Sequence, residues 1–199
     1  FYDRYGLEYV GLRYMNVFGP HQDQTAAYSG VIPIMLNKID ANEQPVVNGD
    51  GSQAYDFIYV EDAGRYNVEA MASDKTDEFY NVGTGVQTSI KDLCETILEI
   101  KKSSLKVIYN PYDADDARQL VQNRIGCTEK SFKDFCFSPK YNLVDGLKKL
   151  IDWRLKNWLV VFFEKSMYYL IDCNVSASFL RLDNQRYSNL DWNKSITLL

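Results

Sequence analysis

The pattern of apolar and polar positions predicts short strands that alternate with helices along most of the chain. Runs rich in β-branched and aromatic residues and bounded by Gly, Pro, Asn or Asp are typical of strands, and they cover 8–14, 45–47, 55–60, 78–82 and 106–109. Apolar residues three or four positions apart are typical of helices, and they cover 31–41, 62–71, 89–101, 128–135 and 143–156. This order of elements predicts an α/β fold.

Several residues mark where these elements begin and end. Gly6 follows a short helical segment and predicts a C-cap. Ser89, with Asp92 three positions later, predicts a capped helix start, and Asp62 is expected to cap the helix that follows the strand before it. The stretch 15–29 is rich in Gly, Pro, Asp and Gln and predicts a long loop of the kind that is often functional.

The character of the chain changes after residue 156. Residues 157–199 contain no Gly and no Pro and mix aromatic residues with Asn and Ser. We therefore divide the chain into domain 1–156 and a tail of unknown character, 157–199. The tail either continues the preceding helix as an amphipathic segment or is unrelated to the fold before it, and the second interpretation is slightly favoured.

Composition and charge exclude several classes of function. The chain has 46% hydrophobic residues, a formal net charge of −5 and no basic footprint, so no nucleic-acid partner is expected. Its longest apolar run, 158–163, is far shorter than the roughly 20 residues of a membrane span, so no membrane partner is expected either. Four cysteines without a C-x-x-C pair and a single histidine, His21, indicate reduced thiols, no metal site and a cytoplasmic protein.

Four motifs, in this order, resemble one known family. Residues 12–20 read LRYMNVFGP, residues 49–62 read GDGSQAYDFIYVED, residues 80–85 read YNVGTG and residues 137–153 read FSPKYNLVDGLKKLIDW. Together they resemble the extended short-chain dehydrogenase/reductase family, and within it the NAD-dependent nucleotide-sugar epimerases and dehydratases similar to UDP-glucose 4-epimerase.

The resemblance implies a fold and a reaction. Residues 1–156 would be the C-terminal part of a Rossmann-type fold with the small, mixed α/β substrate-binding domain. The family reaction implies NAD as cofactor and a nucleotide sugar as substrate, with the sugar oxidised transiently and reduced again. The alternatives are a dehydratase, decarboxylase or reductase of the same family, or a catalytically incomplete fragment with only a binding role.

The resemblance places no catalytic residue in this chain. The family's Tyr-x-x-x-Lys pair and Gly-rich dinucleotide motif are absent from the 199 residues. The sequence also begins without Met, so we expect a C-terminal fragment that is inactive by itself and whose homodimer contacts, if any, lie in missing elements. A first strand without its sheet neighbours also predicts poor stability of the isolated chain.

Site residues follow from the resemblance position by position. Tyr14 and Met15 would lie beside the nicotinamide, and Asn16 would donate its side-chain amide to the substrate diphosphate. Further substrate contacts would come from Val31, Ile32 and Pro33 over the base, Val46 and Asn48 beside it, and Asp116 and Arg118 at the ribose and phosphate. For Asn16 the competing interpretation is a side chain that only satisfies loop carbonyls. For Tyr14, Met15 and the base-side residues, plain core packing is the competing interpretation.

Two positions depart from the family pattern. Tyr55 and Asp113 stand where relatives carry the arginines that bind phosphate. Arg118 and Arg124 are candidate replacements, and a different nucleotide or sugar is the alternative explanation. Asp56 is expected to orient the loop before strand residues 58–60, and His21 is expected on the surface of the long loop rather than in catalysis.

Overall fold

A computed structural model describes residues 2–22, 30–112 and 122–172, with side chains described as far as residue 157. The chain separates into two compact units, Phe1–Arg154 and Leu155–Leu199. The first unit contains the α/β fold. In the second, the described backbone is helical to Asp172. No helix in the described residues is long and apolar enough to cross a bilayer.

Within these described ranges, the predicted strands and helices are all present, and the structure adds short strands at residues 16–18, 88–89 and 123–124. The strands are β1 (Val10–Tyr14), β2 (Asn16–Phe18), β3 (Val46–Asn48), β4 (Ala54–Tyr55), β5 (Phe57–Tyr59), β6 (Glu78–Val82), β7 (Thr88–Ser89), β8 (Ile108–Asn110) and β9 (Asn123–Arg124). The helices are α1 (Tyr2–Tyr5), α2 (Val31–Asp40), α3 (Val60–Ala72), α4 (Ile90–Ile100), α5 (Glu129–Phe135) and α6 (Leu143–Asp172).

Parallel pairing dominates the described sheets. β1 pairs with β6, β2 with β5 and β3 with β8, all in parallel. β4 lies between β7, which is antiparallel to it, and β9, which is parallel. Parallel strands joined through helices are the signature of an α/β fold, and the predicted fold class is therefore confirmed.

Helix α4 shows how local sequence produces local structure. The Ser89 hydroxyl accepts a hydrogen bond from the backbone N–H of Asp92 at 3.0 Å, which confirms the predicted cap. The buried residues of α4 recur at helical spacing: Ile90, Leu93, Cys94, Ile97 and Leu98. One face of the helix therefore packs into the core while the opposite face stays polar.

Two groups of buried residues form the core. The first cluster joins helices α2, α4 and α6 to strands β2, β3 and β5: Phe18, Ile32, Met35, Leu36, Ile39, Val47, Phe57, Tyr59, Ile90, Leu93, Cys94, Ile97, Leu98, Leu147, Leu150 and Ile151. The second cluster joins α3 and α5 to β5 and β6: Ile58, Ala63, Tyr66, Ala70, Tyr80, Val82, Phe135 and Phe137. Successive residues of β5 face opposite sides, so this strand contributes to both clusters.

The structure corrects two predictions about local elements. Residues 16–18 form strand β2 rather than the start of a loop, because they pair with β5. Asp62 does not cap α3, which begins at Val60 without a side-chain cap. Its fully buried carboxylate instead accepts bonds from the backbone N–H groups of Lys140 and Tyr141 and from the Arg65 guanidinium at 2.7 Å.

Candidate functional site

The buried carboxylate of Asp56 lies between β4 and β5 and organises the candidate site. It accepts bonds from the Thr84 hydroxyl at 2.6 Å and from the backbone N–H groups of Thr84 and Gly85, both at 2.9 Å. A buried charge needs this degree of hydrogen bonding to offset its lost hydration. Asp56 is therefore structural, as expected. The loop that it holds, however, is the turn after β6 rather than the one before β5.

Two glycines confine Met15 beside this carboxylate. A Cβ at Gly83 would collide with the Asp56 carboxylate and lie 2.8 Å from Met15 Cγ. A Cβ at Gly126 would lie 3.0 Å from the same Met15 atom. Met15 is thus held at the carboxyl end of β1, the edge where ligands bind in open α/β sheets. Sequence reasoning missed Gly126, whose only signal was an isolated glycine between a strand and a helix.

Asn16 opens β2 next to Met15 and is half-buried. Its backbone N–H and its side-chain Nδ2 both donate to the Asp56 carbonyl, at 3.0 and 3.1 Å. An amide group offers two N–H donors and one carbonyl acceptor. Within the described residues, the second N–H and Oδ1 of Asn16 have no protein partner. The side chain is therefore oriented by one bond and keeps donor and acceptor capacity for a ligand.

Tyr14 ends β1 with its side chain 45% exposed. Its hydroxyl donates to Asn67 Oδ1 on α3 at 2.6 Å, and Asn67 in turn donates to the Ala63 carbonyl at 2.8 Å. The ring is thus fixed on the outside of the sheet rather than packed in the core. Tyr14, Met15 and Asn16 form one continuous segment at the carboxyl end of β1.

The residues predicted beside the base fall into two groups. Ile32 and Pro33 are buried in α2, Ile32 within the first cluster, and Val31 packs partly against that cluster. Val46 and Asn48 are exposed on either side of the buried Val47 in β3. Core packing therefore accounts for Ile32, whereas β3 presents two residues to solvent.

Three predicted positions lie outside the described residues. Asp116 and Arg118 fall in the segment 113–121, and so does Asp113. The described chain places Arg124 in β9, directly opposite Tyr55 of β4. It therefore shows where one of the two candidate replacement arginines lies.

The titratable groups are not arranged as a catalytic or metal centre in the part of the chain that the structure describes. No group of three or more His, Cys, Asp or Glu residues there could hold a metal ion. Burial raises the pKa of the Cys94 thiol to about 11, and His21 lies on the surface with its ring 4.9 Å from that of Trp153. Cys127 and Cys136 are free thiols.

A surface cluster joins α3 to α6. The Tyr141 hydroxyl donates to Glu61 at 2.6 Å, and Lys149 Nζ lies 2.9 Å from the same hydroxyl and 3.2 Å from Glu61. The bond from Tyr141 lowers the pKa of Glu61, and the bond to Tyr141 raises the pKa of Lys149. Both side chains are about half exposed, so we interpret the cluster as a weak surface contact between helices.

Comparison with known proteins identifies the family. Residues 1–83 match the NAD dependent epimerase/dehydratase family, and the similarity to individual relatives extends over about three quarters of the chain. The chain belongs to the NAD-dependent epimerase/dehydratase family. The predicted resemblance is thus confirmed.

Several relatives show the extent of the similarity. A Methanocaldococcus jannaschii protein with the provisional name UDP-glucose 4-epimerase is 35% identical over 153 residues, covering 77% of this chain and 48% of the relative. A UDP-N-acetyl-α-D-glucosaminuronate decarboxylase of Bacillus cytotoxicus is 30% identical, covering 74% and 46%. The crystal structure of Thermotoga maritima UDP-glucose 4-epimerase with UDP-glucose matches with a TM-score of 0.72 and 32% identity, covering 79% and 49%. The chain spans about half the length of these relatives.

Proposed function

We propose that this chain binds the nucleotide sugar in an epimerase similar to UDP-glucose 4-epimerase, which acts by transient NAD-dependent oxidation of the sugar. The observation that supports this most is Asn16, oriented by Asp56 yet retaining an N–H and Oδ1 that no described residue binds. The Thermotoga structure, which contains UDP-glucose, supports the same class of ligand. NAD, when bound, accepts and returns the hydride.

The diphosphate is the proposed ligand of the Asn16 amide. A neutral amide at the carboxyl edge of parallel strands can donate to phosphate oxygens. The bond from Nδ2 to the Asp56 carbonyl restricts the side-chain rotamer, so little orientation entropy is lost when the ligand binds. The buried Asp56 therefore acts on binding through Asn16, without contacting the substrate itself.

The described residues fit only one part of the NAD molecule. The exposed Tyr14 ring and the confined Met15 side chain offer an apolar contact for the nicotinamide. The glycine-rich turn that binds a dinucleotide pyrophosphate has no counterpart in the sequence. We therefore propose Tyr14 and Met15 as cofactor contacts, and we propose that the 199 residues alone do not catalyse the reaction.

The remaining substrate contacts are proposed at two places. Val46 and Asn48 would bind the base at β3, where both residues are exposed. Val31 lies at the rim of the first cluster, where a base could rest, with Ile32 and Pro33 supporting it from the core. Asp116 and Arg118 are proposed contacts to the ribose and the phosphate.

Binding of UDP-glucose to the 199-residue chain tests the proposal by calorimetry, with a circular-dichroism melt to confirm folding. Asn16→Ala should weaken binding about tenfold, because a hydrogen bond to a charged phosphate is lost. Asn81→Ala is the matched control, since Asn81 Nδ2 also donates to a backbone carbonyl, that of Cys127 at 2.9 Å. A folded wild-type chain that does not bind UDP-glucose would refute the proposed function.

Turnover gives a second test. The chain incubated with NAD and UDP-glucose should form no UDP-galactose, because the Tyr-x-x-x-Lys pair is absent from its sequence. Formation of UDP-galactose would contradict the proposed inactivity of these residues by themselves. The similarity to the Bacillus cytotoxicus decarboxylase supports a sugar acid as the alternative substrate, and tighter binding of UDP-glucuronic acid than of UDP-glucose would favour that alternative.

A further inference from the structure

Arg124 is an exposed guanidinium held on a structured sheet. Arg124 pairs directly with Tyr55 across the parallel β4–β9 pair, and its backbone carbonyl accepts a hydrogen bond from the Asp56 N–H at 3.2 Å. Among the described residues it has no ion pair or side-chain hydrogen bond, although the chain carries a formal net charge of −5. The strand thus fixes the position of a cation without neutralising it.

The nearest carboxylate along the strands does not compensate this charge. Successive side chains of a strand face opposite sides, and paired residues face the same side. Tyr55 and Arg124 therefore share one face, while Asp56 faces the other. The Asp56 carboxylate is moreover fully buried and occupied by Thr84 and Gly85.

Asn16 lies on the same face as Arg124. It pairs with Phe57, which is two residues from Tyr55 and so faces the same side. Asp56 bonds both residues, because its carbonyl accepts from the Asn16 N–H and its own N–H donates to the Arg124 carbonyl, and the N–H and C=O of one extended residue point to the same edge of the strand. Their partners Phe57 and Tyr55 are two positions apart, so Asn16 and Arg124 are offset by roughly 7 Å along the strand.

The face that carries Phe57, Tyr55 and Arg124 becomes more exposed to solvent toward Arg124. Phe57 is buried in the first cluster, Tyr55 is half-buried at its rim and Arg124 is exposed. A ligand could therefore contact the amide of Asn16 at one side and the guanidinium at the other. A guanidinium binds two oxygens of a phosphate at once, which an isolated amide cannot do.

We propose that Arg124 is the cation that binds the diphosphate of the nucleotide sugar, on the face that it shares with Tyr55 and Asn16. This deepens the proposed function and depends on it. Tyr55 is uncharged and cannot act in this way, so the positive charge is contributed by the neighbouring strand at the same register position.

Calorimetry of the folded 199-residue chain with UDP and with uridine tests this. Arg124→Gln should weaken UDP binding about tenfold or more and leave uridine binding unchanged, since only UDP has the charged oxygens. Arg124→Lys should retain part of the affinity because it keeps the charge but loses the paired donors. Arg13→Gln is the matched control: it removes the same charge from β1, where Arg13 lies over the Phe79 ring.

Relocating the charge provides the sharpest comparison. The double variant Tyr55→Arg/Arg124→Gln should recover most of the UDP affinity, because the two positions share a face and a register. Equal UDP affinity of wild type and Arg124→Gln, or no recovery in the double variant, would overturn the role of Arg124 while leaving nucleotide-sugar binding intact. A folded wild-type chain that binds no UDP would overturn the proposed function and this inference together.

Discussion

The two core clusters differ in how completely they are enclosed. The first lies among three helices and has fully buried side chains such as Leu93 and Leu147. The second rests on the β1–β6 sheet, which α3 and α5 cover on the side of Tyr80. On the opposite face Phe79 is 49% exposed, beside Tyr9 and Arg13.

This difference indicates which region contributes most to the stability of the chain. Parallel sheets are normally covered on both faces, and a two-stranded sheet covered on one face has little cohesion of its own. The first cluster needs no further cover and should retain its structure. The β1–β6 sheet should be the region that opens first and the one that promotes aggregation.

Removing the Asp56 carboxylate, which connects the two regions, should have the largest effect on the free energy of unfolding. Asp56 belongs to the strand segment that serves the first cluster and binds the turn after β6 of the second. Asp56→Ala removes a buried carboxylate that accepts from the Thr84 hydroxyl and from the N–H groups of Thr84 and Gly85, and should lower the free energy of unfolding by about 4 kcal/mol. Urea denaturation of the purified variant measures this, and a loss below about 1 kcal/mol would show that water replaces the carboxylate.

A cavity in the first cluster should lower the free energy of unfolding nearly as much. Leu93→Ala removes a side chain with no exposed surface and should destabilise the chain by about 3 kcal/mol. The same change at the half-buried Leu12 in β1 should cost about 1 kcal/mol, because less apolar area is lost there. Equal losses at the two positions, measured by urea denaturation, would remove the distinction between the regions.

The cap of α4 should make a smaller contribution to the first cluster. Ser89→Ala removes the bond to the Asp92 N–H and should lower the free energy of unfolding by about 1 kcal/mol. Ser89→Asp is the matched replacement, since Asp also caps helices and should restore most of this loss. If Ser89→Ala leaves the urea midpoint unchanged, water must satisfy that N–H as well as the hydroxyl does.

The exposed face of β6 should show the smallest effect on stability. Phe79→Thr removes an apolar ring from solvent-exposed sheet and should change the free energy of unfolding by no more than about 0.5 kcal/mol. It should nonetheless reduce aggregation on heating, because an uncovered apolar face is an association site. Light scattering during a thermal ramp tests this, and unchanged scattering would locate the aggregation-prone surface elsewhere.

Local sequence signals predicted some structural roles correctly and others wrongly. The Ser89 cap and the buried face of α4 follow from residues within one helix, and both were predicted. Asp62 was predicted as a cap because its position next to a helix start favours one. Its true partners, Lys140 and Tyr141, lie about 80 residues away, as the separations of 78 and 79 positions show, and no periodicity reveals them.

Sequence alone determined the longer helices and strands, the fold class and the family, because periodicity, turn residues and motifs are local properties that survive without contacts. Tertiary structure alone decided that residues 16–18 form a strand, that Asp56 fastens the turn after β6, and that Arg124 stands beside Tyr55. These outcomes depend on which distant segments pair. The free energy of such pairing comes from burial and hydrogen bonds between residues far apart in the chain.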